Sequence, residues 1–89
     1  MTRFIVIHKL PAAATQDEVL AAVRAVVNGF PKDTQWLRCW VAQKGDTLFC
    51  EWESSEETDL WAVLKKGADL FPVEAVYPVT VIDPDWFDG

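Results

Sequence analysis

The stretch WLRCWVAQKGDTLFCEWE, residues 36–53, decides the reading of this chain. Two runs rich in aromatic and branched side chains, WLRCWVA (36–42) and TLFCEWE (47–53), flank Gln43, Lys44, Gly45 and Asp46. Runs of that length and composition form strands, and a short polar break containing glycine turns the chain back on itself. The stretch therefore reads as a β-hairpin. With Lys44 and Gly45 as the turn residues, Cys39 faces Cys50, Trp40 faces Phe49 and Arg38 faces Glu51, so opposite charges meet across the ladder. A three-residue turn with a glycine bulge would shift that pairing.

Upstream, Phe4, Ile5, Val6 and Ile7 form a continuous apolar run inside a strand over 3–9, the pattern of a central strand covered on both faces. Pro11 ends it. Thr15 stands three residues before Glu18 as a capping box, so a helix begins near Gln16. Val19, Leu20, Val23, Val26, Val27 and Phe30 recur at helical spacing as one apolar stripe, and Asn28 and Gly29 stop it with Pro31 beyond. Downstream of the hairpin, Ser54 or Ser55 caps a second helix with Glu56, Glu57 and Asp59 at its start. Leu60, Trp61 and Leu64 supply its apolar face, Lys65 and Lys66 lie at its end, and Gly67 closes it. A last strand covers 75–82. Pro78 within it leaves a ladder position without a donor, which an edge strand tolerates.

Strand, helix, hairpin, helix, strand is the βαββαβ order of an α+β, ferredoxin-like domain: a four-stranded antiparallel sheet, order 4-1-3-2, with two helices on one face. That order puts the all-apolar first strand in the centre and the proline-bearing fourth at an edge, as the residues independently require. At 89 residues there is room for one such domain, over 1–83, with 84–89 as a C-terminal tail. Apolar residues make up 51% of the chain, enough to form a core. A chain this short buries only about 60% of its unfolded surface, which makes association with a second copy a useful supplement.

Alternation divides the strands into two sets. Ile5, Ile7, Leu37, Cys39, Val41, Leu48, Cys50 and Trp52 carry no charge and are expected to face the helices. Phe4, Val6, His8, Trp36, Arg38, Trp40, Phe49 and Glu51 are expected on the open face. That face is too apolar to remain in water, so a homodimer stacked sheet to sheet about a twofold axis is the expected cover, the alternative being long polar side chains and the Trp86 and Phe87 tail folded over it.

Fourteen acids against eight bases leave a net charge of −6, which repels nucleic acid and anionic membrane surfaces while admitting a metal ion or a basic partner. No apolar run approaches membrane-spanning length and the N-terminus does not read as a secretory signal, so a cytoplasmic protein is expected. Two cysteines without CxxC spacing are expected as reduced thiols.

RFIV at 3–6 with Leu10 and Pro11, WLR at 36–38, Cys50 in an aromatic strand, the SSEE helix start and VIDP at 81–84 resemble a small bacterial domain-of-unknown-function family. That family is ferredoxin-like and dimeric and includes a nickel-binding protein. The resemblance spans most of the chain and implies the fold and the dimer. Family members carry a histidine in the second helix, where this chain has Ala62.

Candidate chemistry centres on His8, the only histidine, at the exit of the first strand. The topology brings Asp46 of the hairpin turn and Glu74 of the fourth strand's entry to the same end of the sheet. One imidazole and two carboxylates are a partial shell for a divalent metal such as nickel or zinc. Cys39 and Cys50, if opposed across the hairpin, permit a strained disulfide or a soft-metal pair, though buried cysteines ordinarily serve as small hydrophobes.

An alternative is a cofactor-free enzyme of the dimeric α/β-barrel monooxygenase or cyclase type, with Trp52, Trp61 and Phe71 lining a small-molecule cavity and His8 as general base. No nucleophile, base and orienter assemble from the spacing, so no catalytic set is assigned. The chain lacks a phosphate-cradling glycine loop and an HExxH pattern. A protein-interaction module gripping through Trp86 and Phe87 of the tail is the remaining reading.

Overall fold

The computed structural model describes residues 1–10, 15–26, 30–43, 45–69 and 71–87. Six principal elements follow in the expected order: β1 (Thr2–Lys9), α1 (Gln16–Val26), β2 (Thr34–Val41), β3 (Thr47–Ser54), α2 (Glu57–Lys66) and β4 (Val73–Val79). A single turn of 3-10 helix, Pro84–Phe87, comes last. The strands form one antiparallel sheet in the order β2-β3-β1-β4. Both helices lie on one face of it, the ferredoxin-like arrangement.

Local chemistry explains the element ends. The Thr15 side-chain oxygen accepts the Glu18 amide at 3.2 Å, satisfying a free donor at the start of α1. Pro11, Val27, Asn28 and Gly29, read as a strand stop and helix-end signals, lie outside the described residues. The cap of α2 differs from expectation. Glu56 occupies the N-cap position without a side-chain bond, while Ser54 is wholly buried and donates to the Glu56 carbonyl at 2.9 Å. Ser54 also pairs with Thr34 at 2.9 Å, so its hydroxyl tethers the start of β2 to the turn into α2. At the other end, the Gly67 amide returns to the Leu64 carbonyl at 3.2 Å.

The hairpin has the anticipated register. Arg38 pairs with Glu51, Cys39 with Cys50, Trp40 with Phe49 and Val41 with Leu48. The ladder closes where the Ala42 amide donates to the Thr47 carbonyl at 2.9 Å, and the Gly45 amide donates to the Ala42 carbonyl at 2.7 Å. Gly45 takes a φ of +80°, a conformation that side chains disfavour. Lys44, the other expected turn residue, lies outside the described residues.

The assignment of faces is corrected in the first strand and in half of the second. Phe4 lies opposite Trp52, Val6 opposite Cys50 and His8 opposite Leu48, and all six are buried against the helices. Ile5 and Ile7 therefore occupy the open face, beside Glu51 and Phe49. The cause is that β1 is apolar on both sides, so alternation carries no phase; its phase comes from register with β3. In β2, the ladder shifts between Trp36 and Arg38, making Leu37 an extra residue. Trp36 consequently joins Cys39 on the helix side, packed against the core, although two strand residues separate them. Val41 pairs with buried Leu48 yet remains 49% exposed.

The sheet is open. Strands β2 and β4 each have one unpaired edge, so the chain does not form the closed barrel expected from the α/β-barrel enzymes, where every strand has two neighbours. Pro78 sits on edge strand β4, opposite Phe4, as its missing donor requires.

Truncation should report which face each β1 side chain occupies. In urea melts at high dilution, Phe4→Ala should cost about 3–5 kcal/mol, as for a buried phenylalanine, and clearly more than Ile5→Ala. A larger loss for Ile5→Ala would contradict the observed phase.

Candidate functional site

The space between sheet and helices is not completely filled. A cavity of about 50 Å³ lies there, floored by Trp36, Cys39, Leu48, Cys50 and Trp52 of the hairpin. Val23 of α1, Val63 and Leu64 of α2, and Phe30 and Phe71 complete the wall with His8 and Gly67. Its surface is almost entirely carbon and sulfur. Phe30 meets Trp52 edge to face, with ring centroids 5.2 Å apart, which steadies one side of the cavity. The volume accommodates roughly three to five water-sized atoms.

His8 is 5% exposed and its Nδ1 lies 3.1 Å from the Phe71 carbonyl oxygen. A carbonyl only accepts, so Nδ1 carries the proton in the neutral ring. Burial lowers the imidazole pKa from its ordinary 6.5, outweighing the Phe71 and Pro72 carbonyls that favour the charged form. The Phe71 ring also stands edge-on to the imidazole, 5.8 Å between centroids. Strand pairing holds this corner in place: the Lys9 amide donates to the Pro72 carbonyl at 3.1 Å and the Leu10 amide to the Asp46 carbonyl at 2.9 Å.

The other proposed metal ligands sit differently. Asp46 accepts the Thr47 hydroxyl at 3.2 Å. Glu74 is exposed, the additional β4 residue where the β1 ladder passes from Ala75 to Val73. Among the described residues, no group of three or more His, Cys, Asp and Glu side chains is placed to hold a metal ion, so His8, Asp46 and Glu74 are not brought together as one. Of the proposed cavity aromatics, Trp52 and Phe71 line the space. Trp61 instead packs half-buried against the core outside this lining and donates from Nε1 to Glu57 at 3.1 Å. Trp36 and Cys39 were legible as strand residues, but only the displaced ladder at Leu37 brings both to the cavity.

The open face carries the second concentration of chemistry. Glu51 accepts Arg3 Nη1 at 2.7 Å and Arg38 Nε at 2.9 Å, and Arg3 Nη2 also lies 3.5 Å from Glu53. Around these charges lie half-buried Ile5, Ile7 and Phe49, with Trp40 and Tyr77 about half exposed. Trp86 and Phe87, the suggested gripping residues, are exposed in the final 3-10 turn. No helix among the described residues is long and apolar enough to cross a membrane.

His8 should leave a signature in the pH dependence of stability. Between pH 6.5 and its lower folded value, the unfolded chain binds a proton that the folded chain does not. Stability therefore falls as pH falls through that window, with a slope of at most about 1.4 kcal/mol per pH unit. Urea melts from pH 7.5 downward should show that slope in the parent and its loss in His8→Gln; equal slopes would contradict a buried neutral ring.

Comparison with known proteins gives a consistent picture. No curated protein sequence matches the chain. Among solved structures, it resembles SCO4226 from Streptomyces coelicolor A3(2) with a TM-score of 0.75 at 15% identity, over 91% of this chain and 99% of that one. It also resembles a putative antibiotic biosynthesis monooxygenase from Chloroflexus aurantiacus J-10-fl, with a TM-score of 0.56 at 11% identity, over 92% and 93% of the two chains. At such identities the likeness establishes fold alone. The family model described as "Nickel responsive protein SCO4226-like" matches residues 4–79, nearly the whole β1-to-β4 unit, and the chain belongs to that family.

Proposed function

We propose that this chain is a ligand-binding member of the nickel-responsive family that works as a homodimer and takes a small uncharged ligand into the cavity between sheet and helices. The cavity is the observation that carries this reading. Its wall is apolar, and the titratable groups on it favour their neutral forms: burial lowers the His8 pKa and raises those of the Cys39 and Cys50 thiols. A charged ligand entering there would lose its hydration without a counter-charge. The Nδ1 proton of His8 is committed to the Phe71 carbonyl, which fixes the ring in the cavity wall and leaves Nε2 as its acceptor nitrogen.

The family name raises nickel as a ligand. Nickel requires several donors around one point, and the described residues of a single chain do not supply such a set. The buried His8 ring points to a structural part in holding the Phe71 segment against β1. No metal step is therefore assigned.

The open face supports the homodimer. A twofold copy stacked there would cover Ile5, Ile7, Trp40, Phe49 and Tyr77. The ion-pair network on this face holds Arg3 and Arg38 against Glu51 and Glu53, so it is balanced although the chain carries −6. Two acidic chains can approach through it without bringing unpaired like charges together.

Three measurements test the reading. Titration of cyclopentane into the protein, followed by methyl NMR, should give saturable shifts at Val63 and Leu64 that Val63→Phe abolishes by filling the space. Absence of saturation would remove the ligand assignment. Elemental analysis of untagged, chelator-free protein should find no stoichiometric nickel; a reproducible whole-number ratio would replace the present reading with a metal centre. Sedimentation should give twice the 10.1 kDa chain mass, reduced to one chain by Trp40→Glu. A parent protein that stays monomeric at millimolar concentration would overturn the dimer.

A further inference from the structure

We propose that Cys39 and Cys50 form a dithiol site for hydrogen peroxide, closing to a disulfide across the β2–β3 ladder in the wall of the cavity. The two residues are direct partners in the ladder. Because the Ala42 amide donates to the Thr47 carbonyl, that pair is hydrogen-bonded. Alternation along an antiparallel ladder then makes Cys39 and Cys50, three pairs further on, a non-hydrogen-bonded pair, the kind whose side chains approach closest. Their α carbons are expected about 4.5 Å apart, inside the roughly 4.4 to 6.8 Å that a disulfide spans. Both side chains line the same cavity.

The pair is asymmetric. Cys39 is half-buried and Cys50 buried. Burial raises the pKa of Cys39, and the neighbouring Cys50 thiol opposes that rise. Burial raises Cys50 much further, and the neighbouring Cys39 adds to the effect. Cys39 is thus the attacking sulfur and Cys50 the thiol that resolves the product.

Size and charge select the oxidant. A dry, uncharged space for roughly three to five water-sized atoms admits hydrogen peroxide, while a charged peptide disulfide is too large and too strongly hydrated. The Cys39 thiolate attacks one peroxide oxygen, the O–O bond breaks, and the departing hydroxide takes up the proton that Cys39 released, giving Cys39 sulfenic acid and water. The Cys50 sulfur then attacks Cys39, the S–O bond breaks, and hydroxide leaves with the Cys50 proton as a second water. Two thiols lose two electrons and one peroxide becomes two waters. The ladder position of these residues lies at the cavity floor, so the new bond changes the wall that a ligand meets.

The test is intact-mass spectrometry of the full chain after hydrogen peroxide treatment, catalase quenching and thiol alkylation. The expected result is loss of two hydrogens, no alkylated cysteine and a Cys39–Cys50 linked peptide, with one peroxide consumed per chain and a rate that rises with pH. Cys50→Ser should stop at a sulfenic acid on Cys39 that dimedone captures. Cys39→Ser should consume peroxide at least about tenfold more slowly, because the remaining thiol is the less ionised one. Retention of both thiols, conversion of Cys39 to sulfinic acid in the parent, or a bridge between two chains would each overturn the proposal. The parent protein alone decides among these outcomes should either serine variant fail to fold.

Discussion

The pairing of β1 with β3 governs the rest of the molecule. A strand that reads Phe-Ile-Val-Ile can present either side to the helices at similar hydrophobic gain, so burial by itself does not choose. Setting Phe4 against Trp52 and Val6 against Cys50 chooses. It carries His8 into the interior, sends Ile5 and Ile7 to the opposite face, and places the Arg3 guanidinium beside Glu51 and Glu53. The alternative phase would bury Arg3 against the helices and separate it from both carboxylates, leaving a charge without a partner in a dry interior. Keeping the Arg3 charge beside its carboxylates thus contributes to the observed face, although Arg3 Nε is itself buried without a partner.

The same pairing produces two dissimilar surfaces from one sheet. On the helix side, neutral groups surround a small void, and each ionisable group there is biased toward its uncharged state. On the other side, Glu51 is held between Arg3 and Arg38, with its side chain only 12% exposed. Such a network is modest as a source of stability where water reaches it. Its larger effect is to present apolar side chains between charges that already compensate one another. The proposed partner copy and the proposed ligand therefore occupy opposite faces of one layer and do not compete.

Membership in a nickel-responsive family does not by itself locate a metal in this chain. The only histidine in the sequence, His8, lies in the core, and among the described residues no group of three or more His, Cys, Asp and Glu side chains is placed to hold a metal ion. What the family and this chain share is the frame. A shared frame does not carry a shared function, because function depends on the side chains a fold displays and not on the fold itself.

Much was legible from residue order alone. The hairpin at 36–53, the Thr15 cap, the acidic start and basic end of α2, and Pro78 at an edge each rest on local chemistry, and together they specify strand order as well as element order. The opposition of Cys39 and Cys50 was likewise legible, because a hairpin's register is set by its own turn. The faces of β1, the extra residue at Leu37 that swings Trp36 inward, the redirected hydroxyl of Ser54 and the cavity itself were not. Each depends on contacts beyond its own local pattern: β3 for the phase of β1 and for the ladder shift that leaves Leu37 over, Thr34 for Ser54, and two helices for the void above the sheet. Local patterns determine which elements form and where they stop. Which side chains they present to one another is decided when long-range pairing satisfies charges and fills space together, a condition only the assembled chain imposes.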